Sequence, residues 1–170
     1  GLRVARATSV LSVVFRGDLS QLSNVRAVDD AYPLRGRVTV AREAFGTGQP
    51  IAGGPAPGEA WPDSKLLAAT GASLGDELSI GAGTFRVTQV LITRPDQGGT
   101  FSDLAPSILI NAADLPGTKL IQPGSRASYA MLFAGDRDRV ESFKAVLDAR
   151  KQRGQRLLDV SEASPQIRNA

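Results

Sequence analysis

Residues 8–15, TSVLSVVF, and residues 21–28, QLSNVRAV, are two runs rich in β-branched and apolar residues. A short loop that contains Gly17 and Asp18 separates them, and this arrangement predicts a β-hairpin. Apolar and polar residues alternate imperfectly in the second run, so the pattern does not decide which face of the hairpin is buried. Residues 1–6 are expected to be the end of a helix that leads into the first strand.

The elements that follow the hairpin are mostly short strands. Residues 36–42 predict one strand, and residues 77–80 and 84–91 predict two more around a turn at residues 81–83, GAG. A helix is expected between these strands, because Asp63 is a suitable N-cap and Gly71 a suitable left-handed C-terminal residue. Glycine and proline predict two long loops, at residues 46–58 and 94–106.

The last third of the chain predicts a strand–helix–strand unit. Residues 125–133 are expected to be a strand, and Asp136 to begin a helix that Gly154 ends. Residues 156–160 are expected to return as a strand, far enough along the chain for a crossover between parallel strands. Residues 107–110 also predict a short buried strand. Many strands with two or three helices indicate the α+β class.

Composition excludes more chemistry than the motifs suggest. The chain has 170 residues, enough for one domain or two small lobes, and it contains neither cysteine nor histidine. Disulfides, thiol nucleophiles, thiolate or imidazole zinc sites and hydrolases with an imidazole base are therefore excluded. We predict no catalytic residue, no metal site and no cofactor.

Charge and hydropathy exclude two further classes of function for this stretch of sequence. The chain has twenty Lys and Arg residues and seventeen Asp and Glu residues, so its net charge is only +3. The basic and acidic residues are interspersed along the sequence. Nucleic-acid binding, which needs concentrated positive charge, is not expected. No run reaches the roughly 18–20 apolar residues of a membrane span. Because the chain starts at Gly1 without methionine, we expect it to be a piece of a longer protein.

Two serine motifs contain candidate nucleophiles. Residues 71–75, GASLG, match the G-x-S-x-G pattern, but the expected helix precedes the motif and a strand follows it, the reverse of a nucleophile elbow. Ser64 and Lys65 are adjacent, so on a helix they point in different directions and do not form a dyad. Pairing of Ser73 with Lys65 has no spacing rule to support it. Helix-terminal and turn roles explain these residues better.

Acidic and glycine-rich motifs are equally weak. Asp29 and Asp30, like Asp76 and Glu77, are paired carboxylates that solvated turns explain without catalysis. The glycines at 46–48 and 81–83 do not continue as a phosphate-binding motif, and three aspartates do not form a calcium loop: Asp96, Asp103 and Asp114.

The two long loops carry the remaining sites. Trp61 and Phe101 lie at or near the loop ends, and we predict them as possible partner-contact residues, because large aromatic side chains are enriched at interfaces. Packing of the loop bases onto the sheet is the alternative explanation.

Several segments occur together in an order typical of one family. They are VDDAYPLRG (28–36), PGEAW (57–61), GASLGDEL (71–78), RPD (94–96), LAPSILIN (104–111), QPGSR (122–126) and GQRLLDV (154–160). In these segments the chain resembles the extracytoplasmic domain of FtsX-like ABC transporter permeases, in particular the YbbP-type branch. The periplasmic part of this group is called the MacB-like periplasmic core domain.

The resemblance implies a two-lobed domain inserted between two transmembrane helices at the periplasmic face of the bacterial inner membrane. Residues 1–32 and 120–170 would form a porter-like α/β lobe, lacking its first strand, and residues 33–119 an inserted, mostly β, Sabre-like lobe. It implies transport without catalysis, a cytoplasmic ABC ATPase as partner through the full permease, a membrane-embedded parent chain, and a secreted esterase or other periplasmic protein as second partner. Lipid or hydrophobic substrates would fit. A small-ligand or glycan-binding module is the alternative.

Overall fold

The computed structural model describes residues 1–97 and 104–159. Within these ranges the strands are, in chain order, β1 (Arg3–Arg16), β2 (Leu19–Val28), β3 (Val38–Ala41), β4 (Gln49–Ile51), β5 (Glu59–Pro62), β6 (Glu77–Ile80), β7 (Gly83–Val87), β8 (Val90–Thr93), β9 (Ser107–Asn111) and β10 (Ala127–Ala134). The helices are α1 (Ser64–Thr70), α2 (Leu115–Thr118) and α3 (Arg137–Arg150).

The first hairpin is confirmed, and its first strand is longer than predicted. β1 and β2 pair in antiparallel register from Ala7 opposite Val28 to Arg16 opposite Leu19. The expected helical end at residues 1–6 is wrong. Strand β1 begins at Arg3, because its first half pairs with β10, where Arg3 lies opposite Ala134.

Six strands close into a barrel. Their order is β1, β2, β9, β5, β7 and β6, and β6 pairs back onto the second half of β1, with Val14 opposite Ile80. The β2–β9 and β5–β7 pairs are parallel and the others antiparallel. The barrel has no free edge where β1 meets β6, and β10 extends the sheet beside the first half of β1.

A first hydrophobic core fills the barrel. Val14, Val25, Leu78, Ile80 and Ile108 are all fully buried in this cluster. Because residues directly opposite each other share a face, the paired side chains from neighbouring strands all point inward. Their burial supplies most of the apolar stabilisation of this part of the fold.

A second core lies on the outer face of the barrel. Strands β4, β3 and β8 form a separate three-stranded sheet that packs there, and Val38, Leu91 and Leu109 are among its buried residues. The strand expected over residues 84–91 is therefore two strands: β7 belongs to the barrel and β8 to the second sheet. The predicted loop at 46–58 also contains the short strand β4.

Local signals placed α1 correctly. Asp63 caps the helix by accepting the N–H of Leu66 at 2.9 Å, and Gly71 follows with φ of 66°, the left-handed conformation that glycine adopts without a steric cost. Asn111 caps the turn at residues 112–114 in the same way, through the N–H of Ala113.

The last unit differs from its prediction. β10 runs antiparallel to β1, and α3 ends at Arg150, before Gly154. α3 has no buried residue, and Phe143 meets Phe133 of β10 edge-on, with ring centroids 4.7 Å apart. No strand forms over residues 156–159, and Val160 lies outside the described residues, so the predicted parallel crossover is absent from the described chain.

The α+β class is confirmed. The division into lobes at residues 33 and 119 stays a prediction, and the hairpin before residue 33 contributes two strands to the barrel that residues 59–111 complete. None of the helices in residues 1–97 and 104–159 has the length and apolar character needed to cross a membrane.

Candidate interaction surface

The serine motifs have structural roles. Ser64 lies at the start of α1, where its Oγ accepts the N–H of Phe45 at 2.9 Å, while Lys65 is exposed. Ser73 is exposed in the turn between α1 and β6, and its backbone N–H donates to Asp76 at 2.9 Å. The order helix–turn–strand is the reverse of a nucleophile elbow.

The predicted acidic pairs also stabilise turns. Asp29 accepts the N–H groups of Arg6 and Ala31, at 2.8 and 3.2 Å. Asp30 accepts the amide of Asn111 at 3.1 Å. In the part of the chain that the structure describes, no group of three or more carboxylates is placed to hold a metal ion.

Asp63 joins two elements. Besides capping α1, its carboxylate accepts the N–H of Ser107 at 2.9 Å, at the start of β9. Burial raises the pKa of the Asp63 carboxyl above its usual value, and the two backbone N–H donors oppose this shift. The residue therefore fixes α1 against the start of β9 in the barrel.

A charged network closes the end of the second core. Arg26 pairs with Asp96, and its Nη1 donates to Ser9 at 3.0 Å. Tyr32, which is 1% exposed, donates its hydroxyl to the same Asp96. Burial, with the Asp96 charge beside it, raises the pKa of the Tyr32 phenol well above its ordinary value. This network anchors the turn at residues 94–97 to the hairpin. Sequence analysis missed it, because the three groups come from separate motifs and no local spacing relates them.

An apolar stripe lies beyond this network on the same face of the hairpin. It consists of Leu11, Val13, Phe15 and Leu22, which are 55%, 37%, 47% and 51% exposed. Val13 lies directly opposite Leu22, and alternate residues of β1 share a face, so the four side chains form one patch. We refer to these four residues as the hairpin stripe.

The hairpin stripe continues the face that the second sheet covers nearer the start of β1. Ala7 and Val28 are buried there, and Ser9 and Arg26 come next. Beyond them Asn24 is still buried, at 5% exposure, whereas the four apolar side chains of the hairpin stripe are exposed. Both faces of the hairpin are thus apolar at some point along their length, which explains the imperfect alternation in the sequence.

The two predicted contact residues, Trp61 and Phe101, are not part of the hairpin stripe. Trp61 is 5% exposed in β5, packed in the second core, and its indole N–H donates to Thr88 at 2.9 Å. The packing alternative accounts for this residue. Phe101 lies outside the described residues. Leu104, where the described chain resumes, is 70% exposed, and two residues later the carbonyl of Pro106 accepts the N–H of Asn24 at the hairpin.

Comparison with known proteins gives the same family as the sequence motifs. No family model matches the chain. The ABC transporter permease YbbP of Escherichia coli K12 is 31% identical over 144 residues, which are 85% of this chain. The chain spans only 17% of the length of that relative.

Two solved structures share the fold. The periplasmic region of MacB from Actinobacillus actinomycetemcomitans matches with a TM-score of 0.52 and 17% identity, over 86% of this chain and 65% of that one. A domain of a putative permease from Porphyromonas gingivalis matches with a TM-score of 0.52 and 13% identity, over 89% of this chain and 70% of that one. The family resemblance is confirmed: the chain is similar over most of its length to part of an ABC transporter permease, and it has the fold of MacB-like periplasmic domains.

Proposed function

We propose that this chain is the non-catalytic periplasmic domain of an inner-membrane ABC transporter permease, which engages a substrate or periplasmic partner and transmits movement driven by a cytoplasmic ATPase. The observation that carries the proposal is the 31% identity to a permease over 85% of the chain. The structural roles of the serine and carboxylate candidates agree with it. A secreted esterase as partner, and lipid or hydrophobic substrates, belong to the same proposal.

The shape of the domain supports a role in transmitting movement. One continuous strand, β1, pairs with β10 in its first half and with β6 in its second. Its 14 residues span about 45 Å at 3.3 Å per residue. A displacement at the β10–α3 end is therefore carried to the hairpin turn by hydrogen-bonded strands, without a flexible linker between them.

The alternative function loses part of its basis. A small-ligand or glycan-binding module would use exposed aromatic side chains as a platform, and the side chain of Trp61 is buried. A shallow cavity of about 390 Å³ lies beside α3, lined mostly by charged and small residues, which differs from the largely apolar lining of ordinary ligand pockets.

Coupled ATP hydrolysis tests the proposal. The full permease is reconstituted with its ATPase, and the rate of hydrolysis is compared with that of a permease from which the domain has been deleted. We expect basal hydrolysis to persist and its coupling to substrate transport to be lost. Equal transport by the intact and the deleted permease would overturn the proposal. A strong, saturable thermal stabilisation of the isolated chain by a small polar ligand would favour the binding module instead.

A further inference from the structure

We propose that the hairpin stripe is the docking surface for the apolar face of an amphipathic helix of a periplasmic protein. This inference rests on the proposed function, and it names a surface and a class of partner for it. The four side chains, Leu11, Val13, Phe15 and Leu22, together expose on the order of 400 Å² of apolar surface. A patch of that size is comparable with the largest patch on a typical monomeric protein, about 300–600 Å², and such patches often mark interaction sites.

The geometry of the hairpin stripe favours a helix as occupant. Leu11, Val13 and Phe15 are spaced about 7 Å apart along β1, so the row is about 14 Å long. The apolar positions i, i+3/i+4 and i+7 of a helix extend over about 10 Å, which fits this row. Leu22, opposite Val13, widens the patch across the second strand.

The shape of this surface argues against a small hydrophobic molecule. The hairpin stripe lies on the outer face of a barrel, on the side opposite the inward-pointing Val10, Val14 and Val25. An outer barrel face is not a concave pocket, whereas small ligands bind in concave sites that enclose most of their surface. A protein helix needs only a flat apolar surface.

The size and position of the hairpin stripe favour a transient protein partner over a second copy of this chain or a lipid surface. A stable dimer needs about 800 Å² from each partner, roughly twice what the stripe exposes. Phe15 is twelve residues from Arg3 along β1, about 40 Å from the end where β10 and α3 lie. If that end faces the membrane, the lipid surface is out of reach of the stripe.

Chemistry also defines the partner. None of the four side chains carries a charge. On the same face Ser9, Ser20 and Asn24 are neutral polar residues, and the charge of Arg26 is paired with that of Asp96. The contacting helix face is therefore expected to be aliphatic or aromatic, with its charged positions turned to solvent. Binding driven by apolar burial depends little on ionic strength, unlike binding steered by charge.

The test uses the 170-residue chain and a defined probe. The probe is a 14-residue helical peptide with leucines at i, i+3, i+4 and i+7 on an Ala, Lys and Glu background, and its control is a peptide of the same composition with the leucines spread around the helix. The variant combines Leu11→Thr, Val13→Thr and Leu22→Thr, which keep β propensity and remove apolar surface. The matched control, Tyr129→Thr with Met131→Thr, removes exposed side chains from β10 instead, at 70% and 53% exposure.

We expect calorimetry to show that the patterned peptide binds the wild-type chain. Its affinity should be at least tenfold weaker for the triple variant and should change less than twofold for the β10 control. Both results should hold at 50 and at 500 mM salt. The absence of binding, or equal binding to the triple variant, would overturn the proposal. So would sedimentation as a dimer that the triple variant dissociates, or flotation with phosphatidylcholine vesicles that the triple variant abolishes. The two proposals can fail separately. If the docking test fails but deletion of the domain still uncouples ATP hydrolysis from transport, the proposed function stands and only the docking surface is wrong.

Discussion

Replacing Asp96 with alanine tests the charged network that joins the loop after β8 to the hairpin. The side chains of Asp96 and its partner Arg26 are 17% and 14% exposed. The substitution leaves the guanidinium largely buried without its counter-charge and removes the acceptor of the Tyr32 hydroxyl. Breaking a buried ion pair on one side costs about 3–5 kcal/mol, and the residual exposure of this pair places the expected loss near the lower limit, about 3 kcal/mol.

Urea unfolding followed by circular dichroism measures this loss. With a slope of about 2 kcal/mol per molar urea, a loss of about 3 kcal/mol lowers the midpoint by about 1.5 M while the slope stays unchanged. The control Asp148→Ala removes the exposed partner of Lys151, and we expect a loss of less than about 1 kcal/mol. The double variant Arg26→Met with Asp96→Leu removes both charges, so it should recover the part of the stability that the unpaired guanidinium costs, while the Tyr32 hydroxyl still lacks its acceptor.

The reasoning fails if Asp96→Ala and Asp148→Ala cost the same. It also fails if the double variant is much less stable than Asp96→Ala, since the stability would then come from the shape of these side chains rather than from the pairing of their charges.

Four further predictions concern three positions. Above about pH 10 the Tyr32→Phe variant is expected to lose less stability with rising pH than the wild type does. The raised pKa of Tyr32 keeps the phenol protonated in the folded protein, whereas the unfolded chain releases this proton, and phenylalanine has no proton to release. Urea unfolding from pH 8 to 11 measures the difference. Asp63→Ala removes the acceptor of two backbone amides and should cost about 2 kcal/mol in the same assay. Since burial raises the pKa of Asp63, the wild type should gain stability relative to Asp63→Asn as the pH falls from that raised pKa toward about 4, and the opposite trend would contradict the assignment. Gly81→Ala places a Cβ 2.2 Å from the carbonyl oxygen of Thr118 at φ of 55°, so its midpoint should fall clearly more than that of Gly17→Ala, which has φ of 57° and open space around it.

Local signals in the sequence were sufficient for some elements. Asp63 and Gly71 bracket α1 because a cap and a left-handed terminus depend on neighbouring residues. The start of β1 was missed, because residues 1–6 become a strand through β10, more than 120 residues away. The break between Val87 and Val90 was missed as well, since each residue serves a different sheet.

The hairpin stripe could not be predicted from the sequence either, because its exposure also depends on tertiary structure. Leu11 and Leu22 follow the pattern of core positions, and only the extent of the second sheet leaves them uncovered. Trp61 is a predicted contact residue because of its residue type, and large aromatic residues occur both at interfaces and in cores. Motifs could therefore identify the family, whereas the surface required the tertiary structure.

The location of this domain in its parent protein is the most direct test of the account. The chain has no cysteine, and Ser73 is exposed, so Ser73→Cys introduces a single reactive thiol when the other cysteines of the full permease are replaced. A membrane-impermeant maleimide added to intact bacteria should label this thiol through the outer-membrane pores, as it labels a known periplasmic control. Labelling only after the inner membrane is broken would contradict a periplasmic domain of an ABC transporter permease.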